Sequence, residues 1–493
     1  MALRSLVRGS VAYSIGNLLP RVGNFLLLPI YVRFLSPADF GSIALVTSVS
    51  SLLAIGFRLG LDGSLMRLHF TDVDPRRQDR LLTTVATVTT VAAAIGAVLT
   101  AWLSWLFFAQ LFAGLEFWPF GAFAVAIAFA MTFIYLPATL FRAREQPIPF
   151  LTFTAGQFGV TAAVTLLLVV TLHAGAVGAL VGQLAGGLAV LVVSVVLVWR
   201  AGGLVLDRRL AAEALQFGLP LVPHGISGWV LSVSDRWLLS FLLPLSAALA
   251  RAQIGVYSLG YQLAYVVDLG AQSINAAWVP FFYRYGSTEQ GPAIHREMLT
   301  VVTAAFAAVI ASLSLNANLV VAIIARPPFA EAARVVPIVG LAFLAHIVYI
   351  WMVTVVFHAR RTAVLPLISG ASGAVNVGVN LVLIPRFGIE GAAWATLASF
   401  TSIAVLTLWY AYRVYPVTID WMRMAVLLAG TAGAAVYAVA AGGGLSAGRI
   451  LLDLGLSALF AIVALAIARS PALSLRTLTR EASRSLAQAP AGG

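Results

Sequence analysis

Apolar residues in this chain neither alternate nor keep to one helical stripe; they form long continuous runs. Fourteen can be read, at about 9–33, 39–63, 81–109, 117–140, 150–172, 175–199, 215–242, 254–282, 298–324, 332–357, 363–385, 388–412, 421–441 and 447–469. Each is long enough for a helix across a bilayer, which takes ~20 residues at 1.5 Å rise. Breaker-rich turns separate them, among them Ser36-Pro37, Gln146-Pro147-Ile148-Pro149 and Arg326-Pro327-Pro328. The longest connectors, 64–80, 200–214 and 283–297, are too short for a soluble domain. The pattern predicts an all-α polytopic membrane protein with 14 transmembrane helices; a barrel would show short alternating segments instead.

An internal repeat organises these helices. Residues 174–184, AGAVGALVGQL, align without gaps on 387–397, FGIEGAAWATL. Phe141-Arg142-Ala143-Arg144 echoes Phe357-His358-Ala359-Arg360, and Phe34-Leu35-Ser36-Pro37 echoes Phe241-Leu242-Leu243-Pro244. Six helices separate each pair, and an even number gives both copies one orientation. Parallel repeats of this kind build two bundles around a midplane site. The expected layout is therefore two six-helix lobes as parallel repeats around a central cavity, plus two extra helices. The predicted divisions are an N-terminal lobe at 1–200, a linker at 201–214, a C-terminal lobe at 215–413, two additional helices at 414–469 and a basic tail at 470–493.

Composition agrees: 61% of residues are hydrophobic and 10% charged, with a mean hydropathy of +0.98. The net charge of +12 would suggest nucleic acid until its placement is examined. All the Lys+Arg residues are arginine. Outside the spans they divide unevenly, with only Arg33, Arg251, Arg326, Arg334, Arg386 and Arg449 on one side of the alternating loops. That asymmetry is the positive-inside signature, and it places both termini in the cytoplasm of a bacterial inner-membrane protein. The first apolar run is too long for a signal peptide and lacks a cleavage pattern, so it is expected to stay as the first span. Cysteine is absent, which excludes disulfides, thiolate metal sites and thiol catalysis. No Walker loop, HExxH or nucleophile elbow occurs, so neither catalytic residues nor a bound metal or cofactor are expected.

Few ionisable residues lie inside the runs, and such residues mark substrate or ion pathways by default. Arg21 stands mid-span at a cost of roughly 2.5–3.5 kcal/mol, between Pro20 and Pro29, with Asn17 and Asn24 extending one polar stripe. It reads as a fixed cation for an anionic head group or as a structural ion pair with Asp268 or a backbone carbonyl. Arg58 and Asp62 have i,i+4 spacing, which suits a salt bridge, although Arg58 is also placed to meet a phosphate. Asp235 and Arg236 are adjacent and so point ~100° apart on a helix; a cavity role for Arg236 competes with helix bracing. Asp268 reads as a partner for an arginine or as a site for a coupling cation. His224 and His346 read as hydrogen-bonded structural groups or as proton relays. Asn376 and Asn380 share one helical face and suit interhelical hydrogen bonds.

Several motifs resemble a known family. Asn17, Pro29, Tyr31-Val32-Arg33, Leu35-Ser36, Asp39-Phe40-Gly41, Leu59-Gly60-Leu61 with Arg67, Phe217-Gly218-Leu219-Pro220-Leu221-Val222-Pro223 with Asp235-Arg236, Gly255-Val256-Tyr257-Ser258 and Gly391-Ala392-Ala393 are similar to those of polysaccharide-transport flippases. These belong to the multidrug/oligosaccharidyl-lipid/polysaccharide exporter superfamily. The resemblance implies a cationic cavity that opens alternately to either side and turns over a polyprenyl-diphosphate-linked glycan. It also implies cavity roles for Arg21, Arg58 and Arg236. Expected partners are the lipid-linked anionic glycan, membrane lipids and glycan-assembly proteins, with the protein acting as a monomer and binding no nucleic acid. Coupling to a proton or sodium gradient, or to membrane potential, is open. The competing functions are a lipid II flippase, a multidrug cation exporter and, in another class, a membrane-embedded glycan polymerase or ligase.

Overall fold

The computed structural model describes residues 2–71, 74–442 and 444–469; the basic tail expected at 470–493 lies outside them. The described residues form helices and no strand, and eleven segments are long and apolar enough to cross a membrane. The fourteen apolar runs become eleven such segments for physical reasons. Run 215–242 is interrupted at Pro220 and Val233. Run 254–282 is diluted by Gln262, Asp268 and several tyrosines. Runs 363–385 and 388–412 share the single helical segment Thr362–Val414.

The chain packs as two units, Met1–Ser258 and Leu259–Gly493. The first holds α1 (Ala2–Phe34), α2 (Pro37–Arg58), α3 (Leu61–Thr71), α4 (Pro75–Leu111), α5 (Ala122–Thr132), α6 (Tyr135–Ala143), α7 (Pro147–Leu166), α8 (Gly175–Arg200), α9 (Arg208–Gly218), α10 (Leu221–Ser232) and α11 (Ser234–Leu242). The unit boundary falls inside α12 (Ala247–Tyr285). Helix α2 starts where it does because Ser36 and Asp39 form a capping box: Ser36 Oγ accepts from the Asp39 amide at 3.1 Å, and Asp39 Oδ2 accepts from the Ser36 amide at 3.1 Å. The other Asp39 oxygen faces the first turn of α8, where the Ala176 amide donates at 3.4 Å. One carboxylate thus serves two positive helix ends.

The family-like motifs meet in pairs in this unit. A Cβ on Gly41 would run into the carbonyl of Arg251, with its carbon at 2.8 Å, and one on Gly255 would sit 2.9 Å from the Gly41 nitrogen. Helices α2 and α12 therefore touch backbone to backbone. A second meeting joins Leu59-Gly60 to Phe217-Gly218: Gly60 has φ +68°, and a Cβ on Gly218 would lie 2.6 Å from the Leu59 carbonyl. Ser64 Oγ donates to the Ala214 carbonyl at 2.6 Å, and the Arg67 guanidinium lies 4.6 Å from the Phe217 ring centre. Around these contacts Leu61, Leu65, Leu82, Val85, Leu136 and Leu140 pack as one core.

The second unit holds the rest of α12, α13 (Gly291–Leu315), α14 (Ala317–Ile324), α15 (Ala332–His358), α16 (Leu365–Val414), α17 (Trp421–Ala440) and α18 (Ala447–Ala468). Its core gathers Trp278, Phe282, Ile310, Ile347, Trp351 and Val355. A straight helix as long as α16 would span ~75 Å, far beyond a ~30 Å hydrocarbon layer. Gly388, at φ 57° and ψ −130°, breaks it into two arms. Asn376 Nδ2 donates to Ser399 Oγ across the arms at 3.2 Å, and Asn380 Nδ2 donates to Asn376 Oδ1 at 3.1 Å. Asn376 thus makes the interhelical bond expected of the pair, while Asn380 braces it from within the same arm.

Candidate functional site

Helix α1 runs unbroken through Pro20 and Pro29. It lies on α7 through its glycines: a Cβ on Gly16 would meet the Phe150 ring at 2.8 Å, and one on Gly23 would strike Phe158. At ~100° per residue, Asn17, Arg21 and Asn24 point about a third of a turn away from that face. All three are exposed. Arg142, at the end of α6, joins them: its Nη2 donates to Asn17 Oδ1 at 2.9 Å while the guanidinium lies 4.7 Å from the Phe150 ring centre. Asn17 is one helical turn before Arg21, so the stripe carries two permanent cations. Its place in a connector gives Arg142 no local mark as a site residue; the Phe-Arg-Ala-Arg context shared with the repeat is the one signal in the sequence.

Arg58 ends α2, and the chain then leaves the helix at Leu59 (φ 51°) and Gly60 (φ 68°). Because the helix stops between them, Arg58 and Asp62 do not share a face, and no ion pair joins them among the described residues. Asp62 is exposed. Arg58 Nε is enclosed without a hydrogen-bond partner, an arrangement that costs ~1–3 kcal/mol or more for a charged group.

Asp235 and Arg236 are both buried, at the first turn of α11. Tyr257 connects them, donating its hydroxyl to Asp235 Oδ2 at 2.7 Å and presenting its ring 5.2 Å from the Arg236 guanidinium. Arg236 Nη1 donates to the Ser232 carbonyl at 2.9 Å, in the turn where Val233 interrupts the helix. A helix break leaves carbonyls without their intrahelical partners, and a guanidinium satisfies one of them here. The Asp-Arg and Gly-Val-Tyr-Ser motifs thus meet in space. His224 is exposed on α10.

The second unit brings two candidates together. Asp268 on α12, 1% exposed, has Oδ1 2.7 Å from His346 Nδ1 on α15, and its Oδ2 accepts from Gln272 Nε2 at 2.5 Å. The imidazole stacks on Phe400 at 4.8 Å and on Tyr349 at 5.4 Å, nearly parallel to both. Two turns beyond Asp268 on α12, Asn275 Oδ1 accepts from Thr354 Oγ1 at 3.4 Å.

The described residues thus form a polytopic helical architecture with exposed arginine in an apolar segment, and solved structures share the fold. The fold is similar to the lipid II flippase MurJ in an inward closed conformation, with a TM-score of 0.73 and 12% identity over 93% of this chain and 98% of that one. It is also similar to an inward-facing multidrug resistance MATE family transporter of the MOP superfamily, with a TM-score of 0.60 and 14% identity over 85% and 98%. At these identities the likeness defines the fold alone. Residues 6–285, more than half of the chain, match the family described as "Polysaccharide biosynthesis protein", and the protein belongs to that family. The matched region contains every motif quoted above except Gly391-Ala392-Ala393. A protein of the Lsg locus of Haemophilus influenzae is 35% identical over 69 residues, which is 14% of this chain and 16% of that protein's length.

Proposed function

We propose that this protein is a flippase that moves a polyprenyl-diphosphate-linked oligosaccharide or polysaccharide repeat unit from the cytoplasmic to the outer leaflet, for cell-surface polysaccharide biosynthesis. The supporting observation is the exposed Asn17–Arg21–Asn24 stripe with Arg142 held against it. A diphosphate cannot cross hydrocarbon alone, whereas a guanidinium binds phosphate oxygens in pairs and never loses its charge. Asn17 and Asn24 add amide groups for sugar hydroxyls, and the polyprenyl tail stays in lipid. Arg58, half-buried at the end of α2, supplies a second guanidinium for phosphate. Fourteen spans, as two six-helix repeats plus α17 and α18, would expose the stripe to each side in turn. The arginine asymmetry supports a place in the bacterial inner membrane with both termini cytoplasmic. The protein works as a monomer without a cofactor and hands its cargo to glycan-assembly proteins.

A lipid II flippase is the second reading, favoured by the TM-score of 0.73 with MurJ. Both substrates are polyprenyl diphosphates, so the assay separates them by glycan. Purified protein in proteoliposomes is supplied with a fluorescent lipid-linked oligosaccharide or with fluorescent lipid II. Flipping is read as loss of access to an impermeant quencher. The expected result is flipping of the oligosaccharide, abolished in Arg21→Ala with folding intact and partly restored in Arg21→Lys. Faster turnover of lipid II would overturn the substrate class. Unimpaired flipping by Arg21→Ala would overturn the site.

A further inference from the structure

Cargo binding does not use the carboxylate–imidazole pair in the second unit, and that pair has the chemistry of a proton carrier. We propose that Asp268 and His346 together form a proton-binding site whose loading and unloading drives the transport cycle; this rests on the flippase reading above. The loaded pair is an imidazolium against a carboxylate, with no net charge. On unloading, the proton leaves His346 Nε2 for water, Nδ1 keeps its hydrogen and its bond to Asp268 Oδ1, and a net charge of −1 stays behind. No bond between heavy atoms forms or breaks.

The surroundings favour such a switch. Gln272 occupies Oδ2, so Oδ1 is the oxygen left to the imidazole. Asp268 is buried among the helices of the second unit, where an uncompensated carboxylate is expensive and a neutralised pair is not. Phe400 and Tyr349 stack on the ring and fix its orientation against the carboxylate. The His346 side chain retains 20% exposure, against 2% for Asp268, so the imidazole is the end through which a proton exchanges. Loaded and unloaded states thus differ by a full charge in a low dielectric, which is enough to change the preferred packing of α12 against α15.

Other titratable groups nearby are accounted for. Tyr349 on α15 is the stacking partner, and Tyr265 on α12 meets Phe343 at 5.7 Å. On α13, His295 packs against Trp278 and Phe282, and Glu297 pairs with Arg423 of α17 at 3.4 Å. Arg334 of α15 pairs with Glu390 of α16 at 3.5 Å. None of these contacts reaches the Asp268–His346 pair. Direct contact between carboxylate and ring leaves no gap for a sodium ion, and the described residues hold no cluster of three acidic or histidine ligands.

The test has a substrate-free part and a transport part. In the first, proteoliposomes adsorbed on a solid-supported membrane receive an abrupt pH step without cargo, and the displaced charge is recorded. Wild type is expected to give a transient that is lost in Asp268→Asn and in His346→Gln, the latter keeping a hydrogen-bonding amide beside Asp268 where the former fails to fold. In the second, an imposed pH gradient is expected to speed flipping of the lipid-linked oligosaccharide by wild type but not by His346→Gln. A transient that survives in both variants, or one elicited by a sodium step instead, would overturn the proton site whatever the cargo. A pH transient that obeys these expectations without oligosaccharide flipping would uphold the site and sink the flippase reading.

Discussion

Replacing Gly41 with alanine adds one methyl group where α2 meets α12, and the structure gives its consequence a sign. The new Cβ would collide with the Arg251 carbonyl, lying 2.8 Å from its carbon and 3.0 Å from the Gly255 nitrogen. Those neighbours are helix backbone, so no side chain can rotate away and the helices must separate. Overpacking of this kind costs typically 1–3 kcal/mol, and rigid partners put it at the upper end. Helices forced apart also lose close Cα–H···O contacts of about 0.5–1 kcal/mol each. Against this, alanine gains ~1 kcal/mol over glycine in helix propensity. The net expectation is roughly 2 kcal/mol of destabilisation. Gly156, inside α7, is the control, because a Cβ there meets nothing within 4 Å. Gly156→Ala collects only the propensity gain and is expected to be neutral or slightly stabilising. The measurement is residual monodisperse protein after graded heating in detergent, compared across wild type and both variants. A Gly41→Ala protein as heat-resistant as wild type, or a Gly156→Ala protein equally damaged, would refute the backbone-contact reasoning.

Three further outcomes are expected. Arg142→Ala removes the donor to Asn17 and is expected to weaken cargo binding more than it lowers the maximal flipping rate, checked by varying the lipid-linked oligosaccharide in proteoliposomes. Asn376→Ala and Ser399→Ala should each destabilise the α16 hairpin, with a double-mutant coupling of about 0.6–1.7 kcal/mol from thermal unfolding; zero coupling would count against the cross-arm bond. His69, in α3 outside the spans, is held below the ordinary histidine range by burial, reinforced by Arg144 and opposed by Asp79. Its unfolded form therefore takes up a proton more readily than its folded form, so stability falls as pH drops below ~6.5. Thermal shifts at neutral and mildly acidic pH should show a smaller acid loss in His69→Gln than in wild type.

The apolar runs were readable because a bilayer demands length and apolarity, which are local properties. Contacts between the runs were not. Asp39-Phe40-Gly41 and Gly255-Val256-Tyr257 could be recognised as family-like, yet nothing local says that Gly41 and Gly255 fill each other's missing side chains. Asp268 and His346 were each singled out for being ionisable inside apolar runs. Their partnership was hidden, because 78 positions separate them and a hydrogen bond across helices leaves no spacing rule. Arg58 and Asp62 show the opposite case. Their i,i+4 spacing suggested a pair, but the Leu59-Gly60 that follows Arg58 is a helix-ending signal with local physics, and it outweighs the spacing. Arg142 carries no such local mark, because loop arginines are ordinarily a matter of topology, whereas here one reaches back to a polar stripe.

Helix α1 passes through two prolines, and each lacks the amide hydrogen that would normally reach four residues back, to Gly16 and to Phe25. The stretch carrying the arginine therefore has a missing rung in its ladder at either end. A bend at either end therefore gives up one bond fewer than in a regular helix, while Gly23, between the two prolines, keeps the stretch against Phe158 of α7. The arginine thus rides on the part of α1 whose backbone ladder is thinnest, with a glycine contact to α7 beside it.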